Sequence, residues 1–210
     1  MKSRSRIKLL VVAAVALILG SFCLKTSGRL ASADAAAMTG ADATLADNKK
    51  KARAAFTEAF KVLSSARCVN CHPAGDTPLQ GNEGRVHDFV VTRGADGRGE
   101  EPMLCASCHL DKNQDDEGLP PGTPNWHMPP AEQKMIFQGL TAGQLCRNLK
   151  DPLKNGGKKS AKAAVEHVGK DPLVLWAWSP GSGRTTPPMS HADFVKKMNE
   201  WVANGAACPE

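Results

Sequence analysis

The chain of 210 residues has no tyrosine, and its aromatic content is limited to six phenylalanines and four tryptophans. So few aromatic side chains restrict it to a modest hydrophobic core. It also lacks the roughly 18 or more consecutive apolar residues that a confident transmembrane helix requires, since the run Leu9–Leu19 is shorter. No acidic residue occurs in the first 33 positions, which hold Lys2, Arg4, Arg6, Lys8, Lys25 and Arg29. Removing those six from the 27 basic residues leaves 21, equal to the 21 acidic ones. The formal charge of +6 therefore belongs to the N-terminal segment, and the rest offers no basic footprint for nucleic acid.

What is present at the N-terminus is a basic stretch, an apolar run and then small residues including Ala31-Ser32-Ala33. That layout predicts a secretory signal over 1–33, or an N-terminal anchor if it is not cleaved, and hence a periplasmic protein with a membrane association through its N-terminus. Cys23 follows bulky Phe22, which argues against a lipoprotein. Residues 34–48 are Ala-rich without a sustained apolar period and read as a linker. Beyond it, the expected organisation is a region over 49–138 holding four of the cysteines and a helical region over 139–210 packed on it.

Lys49 to Ser65 reads as a helix with Phe56, Phe60 and Leu63 on one face. From Pro73 to Pro130 the chain is dominated by Gly, Pro and charge, with only His87 to Thr92 strand-like. So long an irregular stretch in a compact domain calls for an external organiser, such as a large apolar prosthetic group. In the last third, Thr141 with Gln144 and Ser190 with Asp193 have the spacing of helix-start boxes. The second opens a helix bearing Phe194, Met198, Trp201 and Val202 on one face and closing at Gly205. A third helix is expected over Ser160 to Val168, and "DPLVLWAWSPGSGRTTPP" between them reads as a loop.

The one internal repeat is chemical. "RCVNCHPAGD" begins at Arg67 and "LCASCHL" at Leu104, each holding C-x-x-C-H, with 37 positions between Cys68 and Cys105. Paired C-x-x-C units that share a zinc ion usually lie about 15 to 20 residues apart, and zinc does not require a histidine behind both. A thioredoxin-like redox pair needs a βαβ setting, which is missing. Covalent haem uses every residue. Two thiols add to the two porphyrin vinyl groups, and the following histidine comes to lie beneath the iron. The expectation is two covalently bound haem c groups, one on Cys68 and Cys71 with His72 proximal, the other on Cys105 and Cys108 with His109 proximal. The fold class that follows is mainly α with long irregular loops, a cytochrome c-like dihaem fold organised around the two haems.

The ligand opposite each proximal histidine decides what the iron does. His87 is a candidate for the first haem, folding back from the segment between the motifs, and either His127 or Met128 in the stiff "PNWHMPP" loop is a candidate for the second. His167 is a further candidate. Met103 lies close to its own Cys105, His191 stands in a first helical turn, and Met198 has core spacing. Cys146 and Cys208 lie outside both motifs in an oxidising compartment and are either disulfide partners or two separate thiols.

The strings "RVHDFVVTRGADGRG", "PPGTPNWHMPP", "GQLCRNLKDPLKNGG", "DPLVLWAWSPGSGR" and "WVANGAACP" resemble a family of bacterial secreted haem proteins labelled isoquinoline 1-oxidoreductase subunits. The resemblance covers most of Arg67 to Pro209, and Cys146, Cys208, His87 and His167 fall on the family's recurrent positions. It implies an electron acceptor for a molybdenum hydroxylase of the xanthine-oxidase type. No molybdopterin or Fe–S signature occurs in this chain, so hydroxylase chemistry would belong to that partner. The leading expectation is an electron-transfer protein or subunit, with no catalytic residue of its own, that relays electrons from a redox partner toward the respiratory chain. The alternatives are a dihaem peroxidase, for which no acid–base pair is apparent, and a haem-based redox or gas sensor, which no signalling domain accompanies.

Overall fold

A computed structural model describes residues 40–210; the signal segment expected over 1–33 lies outside them. The chain divides into two units, 1–47 and 48–210. Residues 40–47, expected as part of a linker, are helical. Alanine has the highest intrinsic helix propensity, so the Ala-rich composition that lacks an apolar period still favours this backbone. No helix among the described residues is long and apolar enough to cross a membrane.

The second unit is mainly α and begins with helix α1, residues 48–63. Ala52, Ala55, Phe56, Ala59, Val62 and Leu63 form its buried stripe, at spacings of three and four that return to one helical face. Three C-terminal helices face it: α3 (Ala142–Lys150), α4 (Ala161–Lys170) and α6 (His191–Ala203). Leu145, Leu149, Val165, Phe194, Met198 and Trp201 from these helices join the α1 stripe in one core. Phe56 and Trp201 meet at its centre, ring centroids 5.0 Å apart and tilted by 56°. Trp201 is fully buried because its indole N–H donates to the Ala207 carbonyl at 3.2 Å. Cys146 and Cys208 form a disulfide that ties α3 to the C-terminus across 62 residues.

Helix starts follow the sequence closely. The Thr141 hydroxyl accepts from the Gln144 N–H at 3.3 Å, and the Gln144 side chain accepts from the Thr141 N–H at 2.9 Å. Ser160 caps α4 and Ser190 caps α6 through their hydroxyls. Gly205, at φ 88°, ends the last helix in the left-handed conformation that glycine tolerates. The loop expected at "DPLVLWAW" begins instead with a short helix, α5 (Pro172–Trp176). Asp171 caps it by accepting from Leu173 and Val174, and Pro172 fills the first helical position, where no N–H is needed.

Between α1 and α3 the chain is irregular. A single helical turn, α2 (Ala66–Val69), carries Cys68. Strands β1 (Leu79–Gln80) and β2 (Arg85–Val86) pair antiparallel, as do β3 (Gly99–Glu100) and β4 (Met103–Leu104). His87 to Thr92, read as a strand, is not one: the Val91 N–H turns back to the Phe89 carbonyl at 2.8 Å, and Val90 is 92% exposed. Its apolar residues thus do not serve a sheet. The segment is pinned by Arg93, which is buried and bonded to Asp76, Gly75 and Pro129. Gly97, at φ 83°, lies so close to the Met128 carbonyl that any Cβ there would collide with it.

Candidate functional site

Both C-x-x-C-H motifs fold into one tight turn. In the first, the His72 N–H donates to the Cys68 carbonyl at 3.1 Å; in the second, the His109 N–H donates to the Cys105 carbonyl at 2.9 Å. The turn gathers two thiols and an imidazole without help from distant sequence. All four thiols are free. Burial pushes the Cys68 thiol up to about 12, the neighbouring Cys71 adding to it, and burial likewise pushes Cys71 up to about 11. Cys105 is raised by burial as well, and Cys108 is exposed.

The two histidines are oriented alike by partners far away in the chain. His72 Nδ1 lies 2.8 Å from the Met135 carbonyl oxygen, and His109 Nδ1 lies 2.7 Å from that of Pro121. A carbonyl can only accept, so each Nδ1 carries the proton and each Nε2 keeps its lone pair. That is the tautomer a metal-ligating imidazole needs, held by the kind of outer partner that fixes such rings. An aromatic ring also lies flat on each histidine: Phe137 on His72 at 4.0 Å and 10°, Trp126 on His109 at 4.3 Å and 6°. Burial lowers the His72 pKa to about 4, against the opposing pull of the Met135 carbonyl, and lowers that of His109 too. Both rings are therefore neutral near pH 7, the form that binds iron.

The remaining candidates are distributed differently from the sequence expectation. His87, expected to fold back over the first motif, lies against the second: its ring centroid is 6.4 Å from that of His109. Two imidazoles on opposite sides of one metal, each bonded at about 2 Å through Nε2, have centroids about 6 Å apart. The Phe89 N–H approaches His87 Nδ1 at 3.4 Å, a long contact that ligation through Nε2 would give up. His167 lies within electrostatic reach of His72 and helps to hold it neutral. Its own Nδ1 is 3.5 Å from the Asp171 carboxylate, which again leaves Nε2. His127 follows Trp126, which lies on His109 of the second motif; its Nδ1 is 2.6 Å from the Asn125 carbonyl oxygen, and it is within electrostatic reach of His167. Met128 is buried, its backbone N–H held by the Gly97 carbonyl at 2.8 Å.

Three other residues are accounted for by packing. His191 Nε2 donates to the Val168 carbonyl at 3.0 Å and its ring meets Trp178 edge-on, so its outer nitrogen is engaged. Met198 is core, and Met103 sits in β4. Phe137, Trp126, Asp171 and the carbonyls of Met135 and Pro121 carry no sequence signal of their role, because the contacts form only in the folded chain.

Two further observations bear on whether this framework fits a haem. Six large apolar side chains between positions 86 and 119 are exposed: Val86, Phe89, Val90, Leu104, Leu110 and Leu119. They concentrate around His87 and the second motif, where a porphyrin face would cover them. No three His, Cys, Asp or Glu side chains converge as a metal cage among the described residues, so the four motif cysteines do not assemble a shared zinc site. A porphyrin, by contrast, needs only one protein nitrogen above and one below its iron, and the donors present fit it. No protein family, curated protein or solved structure matches the chain.

Proposed function

We propose that this protein is a dihaem c-type cytochrome that carries electrons in the periplasm. The observation that carries the reading is the duplicated histidine arrangement: each C-x-x-C-H turn presents a neutral imidazole with Nδ1 tied to a carbonyl and Nε2 unengaged. Haem c supplies a one-electron iron couple, and this chain holds it by thioether bonds from Cys68 and Cys71, and from Cys105 and Cys108, to the vinyl groups. His109 and His87 would hold the iron of the second haem, a reading supported by their 6.4 Å ring separation. His72 would hold that of the first, with His167, whose Nδ1 faces the Asp171 carboxylate, as the candidate opposite it.

Histidines on both sides close an iron to exogenous ligands, which favours electron transfer over peroxide cleavage or gas sensing. The family resemblance extends the proposal to a partner: a molybdenum hydroxylase that passes electrons to this protein for delivery to the respiratory chain. Export through the N-terminal segment, with or without its retention as an anchor, belongs to the same reading.

The test is a mass spectrum and a magnetic circular dichroism spectrum of protein made with haem-maturation machinery. Two porphyrin masses that survive acid–acetone extraction, and two low-spin ferric haems with bis-histidine signatures, are expected. A chain without added porphyrin refutes the haem assignment. A high-spin ferric haem in the resting protein refutes the closed-site, electron-carrier assignment and revives the peroxidase or sensor reading.

A further inference from the structure

Arg67 immediately precedes the first motif and is 7% exposed. Its Nη2 donates to the Gly81 carbonyl at 2.7 Å and to the Asn82 side-chain oxygen at 3.3 Å, while its buried Nε has no partner. Asn82 also binds the turn that carries a second arginine: its Nδ2 donates to the Gly183 carbonyl at 3.1 Å, and its Oδ1 accepts from the Thr185 N–H at 3.0 Å. Arg184 in that turn donates to the carbonyls of Pro180, Ser182 and Leu119. Leu119 is two residues from Pro121, whose carbonyl orients His109.

Two cations thus flank one asparagine, one beside the first motif and the other braced on the loop of the second. Every hydrogen bond they make goes to a neutral oxygen, and among the described residues neither forms an ion pair with a carboxylate. Glu83 attracts Arg67 only from a distance. Burial and the nearby Arg184 cation both disfavour charge on Arg67, and Arg184 acts on His109 in the same sense. An arginine cannot escape by losing its proton, so a guanidinium buried beside another cation requires an anion. Its forked donors match a carboxylate. Arg67 is buried next to the first C-x-x-C-H turn and so closed to an acidic partner protein, whereas Asn82 and the turn carrying Arg184 reach the surface.

We propose that Arg67 and Arg184 form a carboxylate clamp that receives haem propionates, with Arg67 holding a propionate of the first haem and Arg184 standing at the junction of the two haems. This inference rests on the dihaem reading. By keeping positive charge beside the porphyrin, the clamp disfavours the ferric state and raises the reduction potential of the haem it serves.

The experiment compares holo-protein of the wild type, Arg67→Gln, Arg67→Lys and Arg184→Gln, each first shown by mass to carry two porphyrins. Midpoint potentials by spectroelectrochemistry and the propionate-bending band in resonance Raman are read. In each Gln variant, one haem potential moves to more negative values and the propionate band shifts. Arg67→Lys keeps the charge and stays closer to the wild-type potential than Arg67→Gln does. If Arg67→Gln does not accumulate, Arg184→Gln and Arg67→Lys carry the test through the band shift, since Lys cannot form the fork. Potentials and band unchanged in folded variants, even with lowered stability, would mean that the arginines only brace the loops, and the clamp is refuted. A wild-type chain lacking porphyrin fails earlier, at the dihaem reading itself.

Discussion

At the scale of single residues, the histidines of this chain differ by which nitrogen the fold leaves unengaged. His191 spends Nε2 on a backbone carbonyl, whereas His72 and His109 spend Nδ1, and only the latter choice leaves a nitrogen pointing away from the main chain. On the proposed axial assignment, replacing His87 by Ala is expected to open one iron only. Carbon monoxide titration of the reduced variant should reach one equivalent per chain, against none for the wild type. Asp76 gives a pH dependence of known sign. The hydrogen bond from Lys134, reinforced by Arg93, holds its carboxyl below the usual carboxylate range. A lowered folded-state pKa contributes stability above the unfolded value and loses it as pH falls through the folded one. Thermal melts of wild type and Asp76→Asn should therefore differ by a constant amount near neutrality, begin to converge below about pH 4, where the unfolded carboxyl protonates first, and meet once pH has fallen through the lower folded-state value. The thiols and proximal histidines were legible because their chemistry is local, three and four positions apart. Their orienting groups were not, since Met135 lies 63 residues from His72.

At the scale of elements, what could be read was whatever repeats or caps. The α1 stripe, the Thr141 box and the α6 face all obey a local period, and α3, α4 and α6 begin at the caps expected for them. The Thr141 box should be worth about 1 kcal/mol, so Thr141→Ala is expected to lower the chemical-denaturation midpoint by that equivalent without changing its slope. The strand expected over 87–92 failed for the reason that makes the region interesting. Phe89 and Val90 match no sheet and instead stand exposed beside the candidate ligand His87, while Val91 turns inward. Helix α5 was missed because the stretch 171–188 around it is rich in proline, glycine and tryptophan, although the Asp–Pro start that caps it was in plain view.

At the scale of the whole molecule, residues 48–210 close around a core against which Cys68 and Val69 of the first C-x-x-C-H turn pack, while the disulfide encloses α4, α5 and α6 between its two ends. His167 and Arg184 both fall inside that loop. Breaking the cross-link frees a long loop and is expected to cost 2–4 kcal/mol, roughly, of stability. Cys208→Ser should accordingly melt at lower temperature and, on the proposed axial assignment, loosen the first haem's low-spin signature before the second's on heating.

On the proposed haem reading, the partial burial of Cys68 and Cys71 also sets a timetable. Once the helices have closed, burial holds both thiols protonated, poorly placed to add across a vinyl bond. Cys146 and Cys208, by contrast, must give up their hydrogens to an oxidant in the same compartment. Porphyrin ligation on the nascent, still-open polypeptide, followed by cross-link formation, is the order that keeps the six sulfurs from being exchanged among these fates.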